Sequence, residues 1–331
     1  MGTEAEVPDT VVEREPLELA VVILNYRTPG LVRSCLESFV PELSLGREIA
    51  VVVDNDSGDG SAERIASFVA KRDWTDRVRI ECSPTNGGFS AGMNRGMRAV
   101  AASSYLLLNS DCRLEPGTIA ELRGALEAHP KIDAVGPRIC DAVGNPTTSA
   151  FRFKSPMSEF IDASHFGPVT RLLRRFDVPI PPSETPHEPD WISFACILIR
   201  ASTFERVGPM DEGYFLYFED LDYGRRIAEA GGRVLHWPAA RVIHDEGGST
   251  GVADTTEALA RRPRYVYEAR ARYFAKHYGR TGLWFANLCW TAGWGLALVR
   301  CAFGKRRSWC RREALDIWTR ALCPLQDRAS T

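Results

Sequence analysis

Apolar positions along the chain fall into short β-branched runs separated by stretches of helical spacing. Residues 19–24, 49–53, 77–80 and 105–108 read as strands. Helical patterns cover 28–39, 61–71 and 88–100, and a further helix follows Pro116, placed at the first helical position, where its missing N–H has no intrahelical partner anyway. Strand and helix in turn predict parallel pairing and an α/β sheet covered by helices on both faces. Between Pro146 and Asp190 frequent prolines interrupt any period, so that segment reads as a long, partly ordered loop. Regular pattern returns with a strand over 194–199, a helix from Asp220 to Ala230 closed by Gly231 and Gly232, and a strand pair through 234–235 and 241–243. Helical pattern then runs to the end.

Composition narrows the class without naming an activity. A chain of 331 residues, 44% hydrophobic and 25% charged, suffices for two domains or one large one and is not a disordered, collagen-like or coiled-coil protein. The net charge of -2 hides a gradient: from Arg261 onward 15 Lys and Arg face 4 Asp and Glu, a local +11 that leaves -13 on the rest. The 9 cysteines form no C-x-x-C pair, which argues against a zinc ribbon or disulfide framework. Residues 1–18 are acidic and polar, without a basic start and apolar run, so a flexible leader and a cytoplasmic catalytic part are expected.

Residues 283–299 are apolar and rich in Trp, and Arg300, Lys305, Arg306, Arg307, Arg311 and Arg312 follow. That combination suits a helix lying in a membrane interface, tryptophans at headgroup depth and cations on anionic lipid. A spanning helix needs about 17 residues at the least, so lying in the interface is expected over crossing; the alternative is a buried helix with a solvated basic face. Nucleic acid is not an expected partner, because no stacking-aromatic motif accompanies the basic residues.

Candidate chemistry gathers where the expected strands end. Asn25 and Tyr26, then Asp54, Asn55 and Asp56, then Asn86, Gly87 and Gly88, then Asn109, Ser110 and Asp111 each follow a strand, at the sheet edge where open α/β sheets bind ligands. A single Asp at such a place is ordinarily a cap or turn residue; the recurrence at successive strands points to a ligand. The acids after Asp54 do not make a calcium loop, since the twelfth position is Ile65 where a bidentate Glu is needed. The glycines at 87, 88 and 92 do not spell G-x-G-x-x-G, though they allow close backbone approach at a helix start. Asp111 is aimed at the edge by a rigid apolar strand, and one carboxylate with a diphosphate is a normal way to hold Mg²⁺ or Mn²⁺; His244, ending a strand, offers an imidazole. Glu219, Asp220 and Asp222 follow an aromatic run at a helix start, where the dipole favours anions and apolar walls raise a carboxylate's proton affinity. Asp220 as a cap and Asp222 paired with Arg225 or Arg226 is the plainer account of those acids.

Taken together, V-V-I-L-N-Y at 21–26, V-D-N-D-S at 53–57, N-G-G-F at 86–89 with Asn94, L-N-S-D at 108–111, Y-F-E-D-L-D at 217–222 and V-I-H at 242–244 resemble glycosyltransferase family 2, most closely its bacterial rhamnosyltransferase-like members. The resemblance covers about residues 19–249. It implies a GT-A nucleotide-diphospho-sugar transferase fold, a Rossmann-like mixed sheet flanked by helices, over 19–250, with a nucleotide-binding half (19–112) and an acceptor and catalytic half (113–250). Residues 251–331 would be a basic, Trp-rich helical region. It further implies that Asp54 contacts the nucleotide base, that Asn25, Tyr26, Asn55, Asn86, Gly87, Gly88, Asn94, Asn109 and Ser110 surround the donor, and that Asp111 with His244 holds Mn²⁺ or Mg²⁺. Asp220 would be the catalytic base, with Glu219 beside it; Trp191, Phe218 and Asp222 are acceptor-side candidates. Many relatives carry D-x-D where this chain has Asn109-Ser110-Asp111, so any metal leans on a single acid here.

The implied reaction is inverting transfer of a sugar, L-rhamnose from dTDP-rhamnose, to a polyprenyl-diphosphate-linked saccharide at the cytoplasmic membrane face, in cell-wall or surface-polysaccharide synthesis. A UDP-sugar donor (N-acetylglucosamine, galactose or galactofuranose) suits a pyrimidine-contacting carboxylate equally. A nucleotidyltransferase should carry a triphosphate loop near the first strand, and residues 25–30 make a poor one. A non-catalytic saccharide-binding or scaffold protein, its acids serving as caps, is the alternative from another class.

Overall fold

The computed structural model describes residues 15–245, 259–305 and 309–326, so residues 1–14 of the expected leader and Arg306 and Arg307 of the basic run lie outside the described residues. An eight-stranded sheet has the order β3-β2-β1-β4-β10-β6-β11-β5. Its members are β1 (Leu17–Asn25), β2 (Glu48–Asp54), β3 (Val78–Cys82), β4 (Ala102–Asn109), β5 (Cys112–Leu114), β6 (Ala134–Cys140), β10 (Cys196–Arg200) and β11 (Val234–His244). The helices α1 (Pro29–Phe39), α2 (Ser61–Lys71), α3 (Gly88–Ala99), α4 (Thr118–Ala128), α7 (Ala201–Val207) and α8 (Glu219–Glu229) flank it.

Alternation along β1 shows how the faces divide. Leu19, Val21 and Ile23 enter one core with α1, α2 and α4 residues such as Leu36, Ile65 and Leu122. Ala20 and Val22 enter the other, with Met93 and Met97 of α3 and Tyr223 and Ile227 of α8. Helix α3 lies close on β1 because Gly92 and Gly96 face it; an added Cβ would sit 2.2 Å from Leu24 and 2.3 Å from Val22.

The expected parallel pairing holds for β3, β2, β1 and β4 and recurs between β6 and β11, within the mixed sheet that the resemblance implies. Strand β10 runs antiparallel to both β4 and β6, and β5 antiparallel to β11, so the sheet is mixed. The chain reaches β10 from the Pro-rich segment instead of through a helix crossover, and periodicity within a strand carries no direction. The supposed strand pair at 234–243 is one strand, β11, whose register shifts between Trp237 and Arg241, where Pro238 cannot donate to the ladder. Pro116 stands before the α4 cap, Gly117, instead of opening the helix.

Residues 146–190 are more ordered than the prolines suggested. They contain β7 (Ala150–Phe151), α5 (Pro156–Ser164), α6 (Gly167–Leu172) and β8 (Pro179–Ile180), and β7 pairs with both β8 and β9 (Trp191–Ile192) in a small antiparallel sheet. Ser155 caps α5 with a capping box closed by Ser158, and Pro156 occupies its first turn, so there proline starts a helix.

The C-terminal helical pattern forms α9 (Arg264–Ala302), broken at Gly279 (φ 70°, ψ 176°), followed by the single turn α10 (Glu313–Asp316). Leu283, Ala286, Trp290 and Ala297 are buried on the α5 side, and Gly293 admits the Phe160 carbonyl, 2.5 Å from where its Cβ would stand. Trp284, Phe285, Leu288, Leu298, Val299 and Phe303 are exposed on the other side. The helix is therefore half core element and half uncovered apolar surface, combining features of both sequence expectations. By length and composition it is also apolar enough to cross a membrane, with 33% of its most apolar stretch buried.

Candidate active site

Pairing register brings the polar strand ends together. Asn25 stands opposite Asp54, and Leu24 opposite Asn109, at the carboxyl edge of the parallel strands. A cleft of about 300 Å³ opens there, lined by Tyr26, Asn55, Asn86, Gly88, Asn109 and Ser110 from the expected donor set. Leu24, Thr28, Phe89, Phe215, Leu216 and Tyr265 complete it.

The other expected donor residues brace this cleft from outside its lining. Asn25 donates to Asp54 at 2.6 Å, and Asp54 also accepts from the Ser57 hydroxyl (2.7 Å) and backbone N–H (3.1 Å), which fixes the β2 end against β1. Asn55 donates to the Asn86 side chain at 2.8 Å, and the same Asn86 oxygen accepts the Gly88 N–H at 3.1 Å. Asn94 staples α3 to residues 210–212, donating to the Met210 carbonyl and the Glu212 carboxylate and accepting the Met210 N–H, each at 2.9 Å. Gly87 is the α3 cap.

Gly88 couples this half to the acidic block. At φ +83° it lets Phe89 N–H donate to the Phe215 carbonyl at 2.7 Å, and a Cβ there would lie 2.1 Å from that oxygen. Four residues beyond Phe215, α8 begins. Tyr217 (φ 70°) and Phe218 (φ 69°) both take left-handed backbone immediately before it; such a conformation costs about 1–3 kcal/mol for a bulky residue and persists only where packing enforces it. Phe218 supplies packing of that kind against Tyr273 of α9.

The paired acids that follow are perturbed unequally. Burial, and then the neighbouring Asp220 charge, push the Glu219 carboxyl well above the ordinary range, and its Oε2 is buried with no hydrogen-bond partner among the described residues. Burial also pushes Asp220 up, to about 6, against the opposing pull of backbone N–H groups at Leu221, at Asp220 itself and at Phe194. The Leu221 N–H reaches its Oδ1 at 2.8 Å. One carboxyl is thus kept protonated and the other is poised to exchange a proton near neutral pH.

The acceptor-side candidates do not all face that pair. Asp222 is 1% exposed and tied to α9, accepting from Lys276 at 2.9 Å and contacting His277 Nε2 at 2.8 Å, with the Tyr214 hydroxyl at 3.1 Å. Trp191 stacks on Phe151 at 4.3 Å and donates to the Arg152 carbonyl within the small sheet, and it lies against Gly224 of α8, where an added Cβ would stand 2.6 Å from its own. Of the two arginines expected beside Asp222, Arg226 approaches it to 3.8 Å, while Arg225 pairs with Glu229.

Asp111 and His244 meet because β5 pairs with the end of β11, Cys112 opposite His244; the imidazole Nε2 lies 3.2 Å from the Asp111 carboxylate. With Cys112 they present ligand atoms within 4.8 Å of one another. Burial holds the Cys112 thiol protonated, and its Sγ donates to the Ala195 carbonyl at 3.3 Å, so the oxygen and nitrogen of Asp111 and His244 are the pair suited to a divalent cation. The same Ala195 carbonyl accepts the Asn109 N–H at 2.9 Å. The adjoining Phe194 N–H serves Asp220. Residues 194–195 therefore link the Asp111 loop to the acid pair across the sheet.

Comparison with known proteins agrees with this geometry. The model of the family described as glycosyltransferase like family 2 matches residues 16–276. An N-acetylglucosaminyl-diphospho-decaprenol L-rhamnosyltransferase of Mycobacterium tuberculosis is 31% identical over 297 residues, 85% of this chain and 91% of the relative. The low-salt glycan biosynthesis hexosyltransferase Agl10 of Haloferax volcanii is 26% identical over 69% of this chain and 67% of its own length. Among solved structures, the mannosyltransferase PcManGT from Pyrobaculum calidifontis, in complex with GDP-Man and Mn²⁺, superposes with a TM-score of 0.53 at 14% identity, covering 89% of this chain and 79% of that one. That likeness concerns the fold, which is the expected GT-A type. With the strand-end cleft, the acid pair and the family match in agreement, the chain belongs to glycosyltransferase family 2 and is a sugar-transferring enzyme.

Proposed function

We propose that the protein transfers L-rhamnose from dTDP-rhamnose, with inversion, to a hydroxyl of a saccharide carried on a polyprenyl diphosphate. The observation that carries the transfer chemistry is the buried acid pair at the start of α8, four residues beyond Phe215 of the cleft lining, with Glu219 pushed well above the ordinary carboxyl range and Asp220 to about 6. The sugar and lipid carrier rest on the likeness to the mycobacterial rhamnosyltransferase.

Asp220 takes the proton from the acceptor hydroxyl as its oxygen bonds to the anomeric carbon, and the bond from that carbon to the diphosphate oxygen breaks on the opposite face, releasing dTDP. Asn109 and Ser110 line the cleft beside the leaving group, and the fixed strand ends orient it. A divalent cation held by Asp111 and His244 would neutralise charge on the diphosphate. Supplying dTDP-rhamnose and N-acetylglucosaminyl-diphospho-polyprenol with Mn²⁺ is the direct test. Rhamnosylated lipid is the expected product, and transfer only from a UDP-sugar would replace the donor assignment.

The pH dependence follows from Asp220. Its ionised form is the active one, so the transfer rate should rise through an apparent pKa of about 6 and level off above it. A rate that instead falls across that limb in a pH series of initial velocities would remove Asp220 from the base role.

Membrane association is proposed for the uncovered face of α9. Phe285, Leu288, Ala292, Val299 and Phe303 recur at helical spacing there, Phe285 being 53% and Leu288 56% exposed. Such a stripe can enter the headgroup boundary while the opposite face stays docked on α5. The double variant Phe285→Asp with Leu288→Asp should therefore lose most co-sedimentation with anionic vesicles and keep its thermal midpoint; unchanged partitioning contradicts the assignment. Truncation after Arg280 is a poorer test, because it also removes Asn287 and Trp290 from the core.

A further inference from the structure

A second cavity, of about 530 Å³, lies between α5, the first turns of α9 and α10. Two short segments run from the donor cleft into it. Phe215 and Leu216 line the cleft while Phe218 lines the cavity, and Tyr265 lines the cleft while Val266 and Tyr267 line the cavity. The partition between the two spaces contains the Tyr217–Tyr265 ring pair, 6.4 Å apart, and the chain enters Glu219 and Asp220 from it.

Its wall contains donors that no described residue engages. Arg270, 5% exposed, gives Nε to Glu159 at 2.8 Å and Nη1 to Asn287 at 2.6 Å, yet its Nη2 has no hydrogen-bond partner among the described residues. The Tyr267 hydroxyl, on a residue 3% exposed, also has none among the described residues. Buried polar groups are costly to leave unpaired, and native proteins keep few of them outside functional sites.

Charge restricts what can complete them. Lys154 contacts Glu159 and Asp162, Arg262 contacts Glu313, and Arg270 contacts Glu159, so every cation on this wall already has an acid beside it. A diphosphate would have to break those pairs, whereas a neutral molecule rich in hydroxyls needs only the spare donors. Trp290 and Trp309 add flat apolar faces on which the C–H side of a pyranose can rest. We propose that this cavity binds the neutral sugar of the acceptor, with Tyr267 and Arg270 hydrogen-bonding its hydroxyl or acyl oxygens. The inference rests on the glycosyl-transfer reading and adds the acceptor subsite to it.

Tyr267→Phe tests this in the full-length enzyme, because it removes only a hydroxyl that no described residue engages. The thermal midpoint should be unchanged or raised, while the KM for N-acetylglucosaminyl-diphospho-polyprenol should rise about five- to tenfold, well beyond any change in donor KM. An unaltered acceptor KM in a variant of normal stability overturns the inference, even with rhamnosyl transfer intact. If the wild type transfers nothing to that lipid, the functional reading has failed, and titration with methyl glycosides decides the cavity separately. Saturable quenching of tryptophan fluorescence that Tyr267→Phe weakens supports a sugar site; no quenching, or displacement of the glycoside by inorganic diphosphate, overturns it.

Discussion

Replacing Asp220 with Asn should lower sugar transfer by about 10²–10⁴-fold, the usual contribution of a general base, while donor nucleotide still binds with near wild-type affinity. The expectation combines placement with protonation. Asp220 sits in the first turn of α8, where its carboxylate is held by backbone N–H groups of Leu221 and Phe194, and burial lifts it to about 6. It can thus be ionised at neutral pH and still be basic enough to accept a proton. Glu219 is held the other way: burial and the Asp220 charge keep it neutral. Glu219→Gln reproduces that neutral form and should cost far less, within about tenfold. Its fold should also gain stability at pH 8. Native Glu219 retains a proton that the unfolded chain has lost, so wild-type stability from this group falls as pH rises above the ordinary Glu range. Steady-state kinetics of both variants, with donor affinity from calorimetry, check the division; a Glu219→Gln loss as large as that of Asp220→Asn would exchange the two roles.

How far the chain could be read in advance depended on distance in sequence. The strand-end residues Tyr26, Asn55, Asn86, Gly88, Asn109 and Ser110 line the cleft because parallel strands deliver every carboxyl end to the same edge, a consequence of local pattern alone. Tyr265 and Tyr267 gave no signal, because they reach the cavities only through docking of α9, and helical periodicity does not say which helix a face will meet. Asp222 looked like a third member of the acid cluster, yet one position beyond Leu221 the helix turns it toward Lys276 and His277. The prolines at 156 and 168 interrupt the hydrophobic period, yet each stands in the first turn of a helix. The antiparallel β10 was also hidden: the apolar residues 196–199 fit either direction, and only the route through the small sheet decides it.

Chelation of divalent cations should bring the wild-type enzyme down by about 10²–10³-fold, the typical cost of losing one preorganised electrostatic contact to developing charge. The reasoning starts from how little negative charge the site holds. The motif supplies a single acid, Asp111, preceded by the uncharged Asn109 and Ser110, and His244 adds an imidazole nitrogen 3.2 Å from it. Two protein ligands hold a cation weakly by themselves, so the donor diphosphate must complete the coordination, and cation and nucleotide should bind with positive coupling. Asp111→Asn keeps the shape and removes the charge. It should weaken nucleotide binding in Mn²⁺ but hardly at all in EDTA, and its residual activity should no longer respond to chelator. His244→Ala should produce the same pattern in smaller measure, since it removes a ligand without removing charge. Calorimetric titration of Mn²⁺ with and without dTDP distinguishes the cases. Wild-type turnover untouched by EDTA, together with nucleotide affinity independent of Mn²⁺, would mean that Asp111 and His244 form an ion pair that steers the diphosphate directly, and the cation would drop out of the mechanism.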